Sequence, residues 1–568
     1  MRAKALLLMA SVAALACFRS SDGDLGFHLA TGRAILASGH IPSTNVLSFG
    51  EPEHAWLLHQ WLPAVLFEWL WQRSGITALI VLKMIVVSAT WLMVLGCARR
   101  LGASLNASVF VCLFAATASA FRFEIRPYLF THLTLAATLF CVLSWTASRR
   151  VGFLIGAIAC CVIGSQLHAG ALDSYLVVGA YGLGCVIESA PRDRLREVRR
   201  WSLVVLAAIS GSAILLALYN PWGARVLLFP FAMIGQPYFA EHLVEFRHAW
   251  SFPISALAAY WCWLLVVVFA LVRGFRSNHV GLLLIAVMYA LASLTWVRMV
   301  FAFAIVSAPL VAQIVSNLEL RLRASLVTSS LVLLAGVAPL YVYRDHEPGF
   351  GLSSYVWPVD QFRFMRAHAV RGRAFVSDAW AGPYLGFFYP ERRAFFDGRL
   401  EAYSTSFAID VYQRIRYAEP GWDALLDRYR IDVLLLRYTT AGEAARQRGR
   451  PNVRQLLAAD ARYALVNFDD VGELFVRRTP DNATWISDLA IPGVDPDRRV
   501  FLAKPALGAR ALVRAAERGN HASTLLGLTA LALADAGDSS HAATLMQAAS
   551  RQAPDDVWLA TLRSRLPP

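Results

Sequence analysis

The sequence predicts a polytopic α-helical membrane protein with a C-terminal α/β domain and a helical tail. The 568 residues are 57% hydrophobic and only 16% charged, whereas about a quarter of the residues of soluble domains are charged. The apolar residues form runs long enough to cross a hydrocarbon layer about 30 Å thick. Beyond residue 343 these runs stop, and short β-type segments alternate with helical ones, which is typical of an α/β domain.

The apolar runs predict about eleven transmembrane helices in a domain spanning 1–343. The first run, 5–18, follows Arg2 and Lys4 and is either an uncleaved span or a cleaved signal peptide. It continues directly into an acidic cluster, which favours an uncleaved span. The other ten predicted spans are 76–97, 103–121, 128–147, 151–167, 172–188, 201–219, 254–272, 279–296, 299–316 and 324–343.

Charge predicts the orientation of these spans. Residues 1–343 contain 24 Lys and Arg residues but only 13 Asp and Glu residues, and the basic clusters fall on every second connection. By the positive-inside rule, the N-terminus is cytoplasmic and the polar half after residue 343 is extracytoplasmic. Because the excess positive charge lies in the membrane half, it gives no reason to expect a nucleic-acid partner. All eight cysteines lie in or beside apolar runs without CxxC spacing, so neither disulfides nor a zinc site is predicted.

The first outside loop, 19–75, carries the strongest candidate chemistry. Asp22 and Asp24 are two residues apart, and His28 follows Asp24 by four, so a helix would place Asp24 and His28 on one face. The aspartates either cap that helix or handle a proton, a metal or a phosphate. Later in the loop, the tryptophan-rich stretch 56–72 favours a helix lying in the membrane interface over a further pair of spans.

Other outside loops add polar groups. Glu124 lies between Arg122 and Arg126. These three residues either form an ion-pair cluster or bind different groups, with an arginine holding a phosphate and Glu124 a metal. Gln166 and His168 end a span. Further candidates are His132 and Arg298, placed about one turn inside their spans where ionisable groups are costly, and the helically spaced residues Glu241, His242, Glu245 and His248, interpreted as a solvated face.

The outer half predicts an α/β domain over 344–480, a linker over 481–503 and a helical tail over 504–568. Its strands are predicted at 374–377, 393–397, 432–438, 463–468 and 473–478. Two turns after strands are either binding loops or structural turns; their residues are Asp378, Trp380, Asp397, Arg399 and Tyr403. In the tail, Ala530, Ala542, Ala549 and Pro554 fall at tetratricopeptide spacing. One repeat cannot bury its own face, so we expect it to pack on the α/β domain or on a protein partner.

Seven segments, taken in order over residues 20–480, resemble bacterial membrane proteins of the GT-C glycosyltransferase superfamily. The segments are DGDLGFHLATGRAILASGHIPSTNVLSF, AWLLHQWL, RPYLFTHL, QLHAG, NPWGARVLLFP, AWAGPYL and FFDGRLEAY. Two positions depart from the family pattern. Gln60 stands where an acid is expected after His59, and Ala169 precedes Gly170 where two glycines are expected.

The resemblance implies a glycosyltransferase of the bacterial inner membrane with a GT-C-like fold and a periplasmic outer domain. Its donor would be a sugar on a polyprenyl phosphate, and its acceptor a glycan, lipid or protein. Asp24 or Asp22, with His28, would be catalytic. Arg126 and either His168 or a divalent cation (Mg²⁺ or Mn²⁺) would stabilise the leaving phosphate. The metal set is Asp22, Asp24 and Glu124; the substrate and phosphate set is Arg122, Arg126, His168, Gln166, Arg298 and His59.

Two other function classes remain open at this point. A transporter or flippase of lipid-linked glycans would place ionisable groups near the middle of its spans, yet these spans are nearly free of them. A non-enzymatic envelope assembly factor would use the outer domain and the 504–568 tail. The motifs GxxxxGKS, GxGxxG, HExxH and GxSxG do not occur, which weighs against a nucleotide-driven pump, a zincin and a serine hydrolase.

Overall fold

The computed structural model describes residues 2–234, 243–274, 280–317, 346–447, 449–502 and 504–564. The chain divides into two compact units. The first comprises Met1–Ser43 and Trp56–Ser353, and the second comprises Thr44–Ala55 and Ser354–Pro568. Residues 44–55 therefore belong to the second unit, although the sequence analysis placed them in a loop of the membrane domain.

Helices make up the described part of the first unit. They are α1 (Arg2–Ala16), α2 (Asp24–Ser38), α3 (Trp61–Arg100), α4 (Leu105–Ser119), α5 (Tyr128–Ser148), α6 (Val151–Leu167), α7 (Leu172–Glu188), α8 (Pro191–Tyr219), α9 (Arg225–Ile234), α10 (Ala258–Gly274), α11 (Val280–Thr295) and α12 (Val300–Asn317).

Every predicted span up to 299–316 has a helix at its position, which makes the chain a membrane protein. Within the described residues, six helices are long and apolar enough to cross a membrane, namely those containing α3, α4, α5, α7, α8 and α12, whereas α1, α6, α10 and α11 are shorter apolar helices. The predicted span 324–343 lies outside the described residues, so the total of eleven stays a prediction.

Close backbone contacts fix the helices that carry the acidic loop. A Cβ on Gly32 of α2 would lie 2.1 Å from the backbone oxygen of Ala64 on α3, so only glycine permits this approach. Beside it, buried Glu68 of α3 accepts hydrogen bonds from Arg33 of α2 at 2.7 and 3.2 Å. The middle of α2 is thereby held against the first part of α3.

The tryptophan-rich stretch forms the first leg of α3 rather than two helices. The leg ends where Ser74 (φ −145°, ψ 15°) and Gly75 (φ 59°, ψ −153°) leave helical geometry. The positive φ of Gly75 is a conformation that glycine adopts without steric cost. The depth of this leg in a membrane stays a prediction.

The second unit contains a four-stranded mixed sheet in the order β1–β2–β4–β3. β1 (Arg373–Val376) is parallel to β2 (Ile431–Arg437), and β4 (Gly472–Arg477) runs antiparallel to both β2 and β3 (Tyr463–Phe468). The helices of this domain are α13 (Val359–Ala367), α14 (Asp378–Phe388), a π-helical stretch Phe407–Gln413 leading into α15 (Arg414–Arg416), α16 (Trp422–Tyr429), α17 (Ala441–Gln447) and α18 (Val453–Ala459).

The predicted strand 393–397 is not part of the sheet, which corrects one expectation. Ala394 makes a single bridge with Ser48. The run is apolar because Phe396 stacks on Tyr412 at 4.1 Å, while Phe395 packs against Phe407 at 5.3 Å. A buried aromatic cluster and a buried strand leave the same short apolar signature in a sequence.

The segment predicted as a linker and the tail are both folded. Residues 481–503 contain α19 (Ala483–Leu489) and the hairpin of β5 (Val494–Asp495) and β6 (Val500–Phe501). The tail forms α20 (Pro505–Glu517), α21 (Ser523–Asp535), α22 (Ser539–Gln552) and α23 (Val557–Arg563).

The tail packs on the α/β domain within the second unit. At the start of α21, Ser523 and Thr524 donate backbone hydrogen bonds to Asp470 at 3.1 and 2.8 Å. Ala542 and Ala549 are buried in a small apolar core of the tail. The tetratricopeptide assignment and a protein partner stay predictions.

Candidate active site

Asp22 and Asp24 have different surroundings at the start of α2. Asp22 precedes the helix, and its Oδ1 accepts a hydrogen bond from the backbone N–H of Asp24 at 3.0 Å. Helix capping therefore explains Asp22 but not Asp24. The Asp22 side chain is 2% exposed and the Asp24 side chain is 32% exposed. Of the two carboxylates, Asp24 is the one accessible to a ligand.

Arg126 lies between these carboxylates. Its Nε and Nη2 donate to the two oxygens of Asp22 at 2.5 and 2.9 Å. Its Nη1 lies 3.0 Å from Asp24 Oδ2 and 2.7 Å from Glu245 Oε1. Burial alone would lower the pKa of Arg126, but the negative charges of the three carboxylates outweigh it and raise the pKa well above its ordinary value. Arg126 is therefore a permanent cation at the centre of the site.

Glu245 is the residue that the sequence analysis misassigned. It lies in a 3₁₀ turn, Val244–Phe246, and accepts from Arg122 Nη1 at 3.0 Å as well as from Arg126. Burial favours a raised pKa for Glu245, yet Arg122, Arg126 and Arg298 outweigh it and hold the pKa well below the usual range. Instead of a solvated helix face, this turn supplies a third ionised carboxylate.

His248 of the same loop is exposed and contacts the backbone oxygen of Thr295 at 2.9 Å. Glu241 and His242 lie outside the described residues. Among residues 243–248 of the predicted helical face, Glu245 lies in the acidic site.

Glu124 lies beside this centre but outside the ion pairs of Arg126. Its Oε1 accepts from Ser21 Oγ at 2.8 Å, and His346 Nδ1 lies 3.9 Å away. Within the described residues, its buried Oε2 has no hydrogen-bond partner. Burial raises the pKa of Glu124, and the charge of Asp22 raises it further, while Lys83 opposes the shift.

Lys83 and His346 lie near Glu124, and neither belongs to the candidate site residues proposed from the sequence. Lys83 is fully buried, and its Nζ donates to the backbone oxygen of Phe18 at 3.2 Å. Its amine therefore has a hydrogen-bond partner inside the protein. His346 stacks on the Phe18 ring at 4.2 Å between centroids.

The side chains predicted to hold a divalent cation do not fit one. Asp22 gives both oxygens to Arg126, Asp24 shares the same guanidinium, and Glu124 is bound by Ser21. In the part of the chain that the structure describes, no three His, Cys, Asp or Glu side chains are grouped so that they could hold a metal ion. The expected set of Asp22, Asp24 and Glu124 is therefore not assembled.

A second group contains neutral histidines. The rings of His59 and His168 lie 5.3 Å apart, and His59 stacks on Phe229 at 4.3 Å. His168 Nδ1 accepts from the backbone N–H of Gly170 at 3.0 Å. Because that nitrogen is an acceptor, the proton of the neutral ring is assigned to Nε2.

Burial keeps both imidazoles uncharged. It lowers the pKa of His59 to about 3 and the pKa of His168 well below its ordinary value, and the positive charge of Arg298 lowers both further. Gln166 donates from Nε2 to Ser165 Oγ at 3.2 Å, and its buried Oε1 has no partner among the described residues. This group offers hydrogen-bond donors and acceptors without negative charge.

Arg298 connects the two groups electrostatically. It lies in the 3₁₀ turn Val297–Met299, with its guanidinium carbon 4.8 Å from the centroid of Phe246. Its charge acts on Glu245 on one side and on His59 and His168 on the other. No carboxylate of the described residues forms a salt bridge with it.

His28 and His132, the other two histidines among the candidates from the sequence, are packed among aromatic rings. His28 is buried on α2, one turn after Asp24, with its ring 4.4 Å from that of Phe27 and 6.2 Å from that of Phe67. His132 lies 4.0 Å from Phe301. Gln60, the departure from the family pattern, is buried just before the start of α3.

In the second unit, the turn predicted as a binding loop is buried structure. The Asp397 and Arg399 side chains are 0% exposed, and Arg399 donates to the two carboxylate oxygens at 2.7 and 2.6 Å. Tyr403 Oη donates to Asp397 at 2.7 Å, and Asn45 Oδ1 accepts from Arg399 at 2.8 Å. None of these side chains can reach a ligand without unfolding the turn.

The other turn has a similar role. Trp380 is fully buried and donates from Nε1 to the backbone oxygen of Tyr355 at 3.3 Å. A Cβ on Gly472 would come within 2.3 Å of the Trp380 ring. Asp378 forms an ion pair with Arg416. Trp380 therefore has a structural role, whereas a binding role for Asp378, whose side chain is 38% exposed, stays a prediction.

No protein-family model and no curated protein matches the chain. Among solved structures, the crystal structure of the Archaeoglobus fulgidus oligosaccharyltransferase in its apo form is similar, with a TM-score of 0.57 and 12% sequence identity, over 97% of this chain and 86% of that chain. At this identity the likeness shows the fold alone. The chain therefore has a fold similar to that of this oligosaccharyltransferase.

Proposed function

We propose that this chain is a membrane glycosyltransferase that transfers a sugar from a polyprenyl-phosphate-linked donor to an acceptor hydroxyl, on the extracytoplasmic face of a bacterial inner membrane. One observation carries the proposal. An accessible carboxylate, Asp24, is held by Arg126 beside the buried carboxylate of Asp22, in a chain with an oligosaccharyltransferase fold.

Asp24 acts as the general base and Asp22 as a positioning residue. The difference follows from exposure, since a base must touch the acceptor and Asp22 is enclosed. In an inverting transfer, Asp24 takes the proton of the acceptor hydroxyl while the acceptor oxygen attacks the anomeric carbon. The bond from that carbon to the phosphate oxygen breaks, and the phosphate leaves with the electron pair. General-base catalysis of this kind contributes about 10²–10⁴-fold to the rate.

The leaving phosphate is bound by Arg298 with the neutral histidines His59 and His168. Arg126 is a weaker candidate than the sequence suggested, because three carboxylates already neutralise its charge. Arg298 has no salt bridge within the described residues, and a guanidinium matches phosphate geometry. The Nε2–H of His168 adds a donor without adding charge.

Transfer by the purified chain tests the proposal. Wild-type protein in lipid nanodiscs is assayed with polyprenyl-phosphate sugars and candidate acceptors. We expect Asp24→Asn to reduce transfer at least 100-fold with an unchanged melting temperature, because the amide keeps the shape but cannot accept the proton. Asp193→Asn is the control, since the salt bridges of Asp193 among the described residues are with the exposed arginines Arg192 and Arg196. If Asp24→Asn and Asp22→Asn both transfer at the wild-type rate, the assignment is wrong.

A further inference from the structure

Three carboxylates from two distant segments of the chain converge on one guanidinium in the candidate site. Asp22 comes from the loop before α2, Asp24 from the first position of α2, and Glu245 from a turn more than one hundred residues away in the chain. All three approach Arg126 within 3.0 Å. Arg122 pairs with Glu245, whereas Arg126 pairs with all three carboxylates.

Carboxylate oxygens are also the ligands that Mg²⁺ and Mn²⁺ prefer. A bound Mg²⁺ needs its oxygens at about 2.0–2.1 Å, and Arg126 donates to the same oxygens. Two cations so close together would repel each other strongly inside a protein, where the effective dielectric constant is low. The guanidinium and a divalent cation are therefore alternatives for one position.

We infer that Arg126 holds the position of a divalent cation in this site, so that the site works without a metal ion. The guanidinium pairs with Asp22 and Asp24 and holds them in place, as a bound cation would. Unlike a bound cation, it carries a single charge that neither chelation nor a change of pH within the ordinary range removes. The reaction proposed above then runs at a metal-free centre; only this last consequence rests on the proposed function.

Binding of Mn²⁺, measured by electron paramagnetic resonance on the full-length chain in detergent after chelator treatment, tests the inference without any sugar donor. We expect the wild-type chain to bind no Mn²⁺ at Asp22 or Asp24. The Asp22→Asn and Asp24→Asn variants should therefore give the same Mn²⁺ binding as wild type. In Arg126→Gln the carboxylates lose their cation, and we expect Mn²⁺ affinity to rise at least tenfold. Adding Asp22→Asn to Arg126→Gln should abolish that gain. Arg126→Lys, which keeps the positive charge, is the matched control and should bind Mn²⁺ no better than wild type.

Two results would overturn the inference. The first is that the wild-type chain binds one Mn²⁺ and that Asp22→Asn or Asp24→Asn abolishes this binding. This comparison does not use Arg126→Gln, so it remains decisive if that variant does not fold. The second is a folded Arg126→Gln chain with the same Mn²⁺ affinity as wild type. A wild-type chain that binds no Mn²⁺ and transfers no sugar refutes the proposed function alone, whereas transfer that needs Mn²⁺ bound at Asp24 refutes this inference alone.

Discussion

The buried ion pair of the second unit permits a quantitative prediction. Asp397→Asn removes one charge while keeping the shape of the side chain, so Arg399 remains as a buried cation without its counterion. Both side chains are 0% exposed, and the pair is bidentate. Removing one partner of such a pair costs about 3–5 kcal/mol, which is roughly a hundred- to several-thousand-fold in the ratio of folded to unfolded protein.

The melting temperature of the full-length chain in detergent measures this cost, with proteolysis used to detect unfolding of the second unit. For a domain of this size each kcal/mol shifts the melting temperature by about 2–4 °C, so we expect a decrease of about 6–20 °C. Asp360→Asn is the control, because its ion pair with Arg363 is 84% and 71% exposed and such pairs contribute about 0–1 kcal/mol. The double variant Asp397→Leu with Arg399→Met should recover part of the loss, since no charge remains buried.

Two results would refute this reasoning. If Asp397→Asn unfolds at the wild-type temperature, the pair does not stabilise the domain. If it loses transfer activity without losing stability, the turn is a binding loop after all, as one interpretation of the sequence held.

Three further predictions follow from other contacts. Asn45→Ala should destabilise the second unit by about 1–3 kcal/mol, because the backbone oxygen of Ala402 loses the Asn45 donor and Arg399 loses one of its acceptors; chemical unfolding measures this. Gly32→Ala should lower the yield of folded protein in size-exclusion chromatography, since its Cβ would meet a backbone oxygen of α3 at 2.1 Å, whereas Gly152→Ala meets nothing within 4 Å and should not. Stability should fall as the pH drops below about 6.5, because burial lowers the pKa values of His59 (to about 3) and His168, so the unfolded chain binds protons that the folded chain does not. The free energy of unfolding should change by about 1.4 kcal/mol per pH unit for each histidine. Melting temperatures of His59→Gln, measured over a pH series, should therefore depend less steeply on pH than those of the wild-type chain.

The acidic site could be located from the sequence but not assembled from it. Two aspartates just after an apolar run mark the loop before α2, because residues 1–343 contain only 13 acidic residues. The spacing of Glu245 with its neighbours indicated a solvated helix face, and that signal was misleading. Its partners Arg122 and Arg126 lie more than one hundred residues earlier, and no local pattern records which distant charge a carboxylate meets.

Arg126 illustrates the same limit for chemistry. The sequence left open an ion-pair cluster or an arginine that binds phosphate beside a metal-binding acid. The tertiary structure places Asp22 and Asp24 on its guanidinium and leaves Glu124 to Ser21. These pairings depend on segments far apart in the chain, so the sequence alone could not assign them.

The sequence by itself determined that this chain is a membrane protein and where most of its helices and strands lie. Hydrophobic run length and periodicity are local properties, and they report directly on the solvent around each segment. Only the tertiary structure decided that residues 44–55 belong to the second unit, that Asp397 and Arg399 are buried, and that one guanidinium joins three carboxylates. These are contacts between segments far apart in the chain, and their free energy depends on distance and burial, which are set when the chain folds.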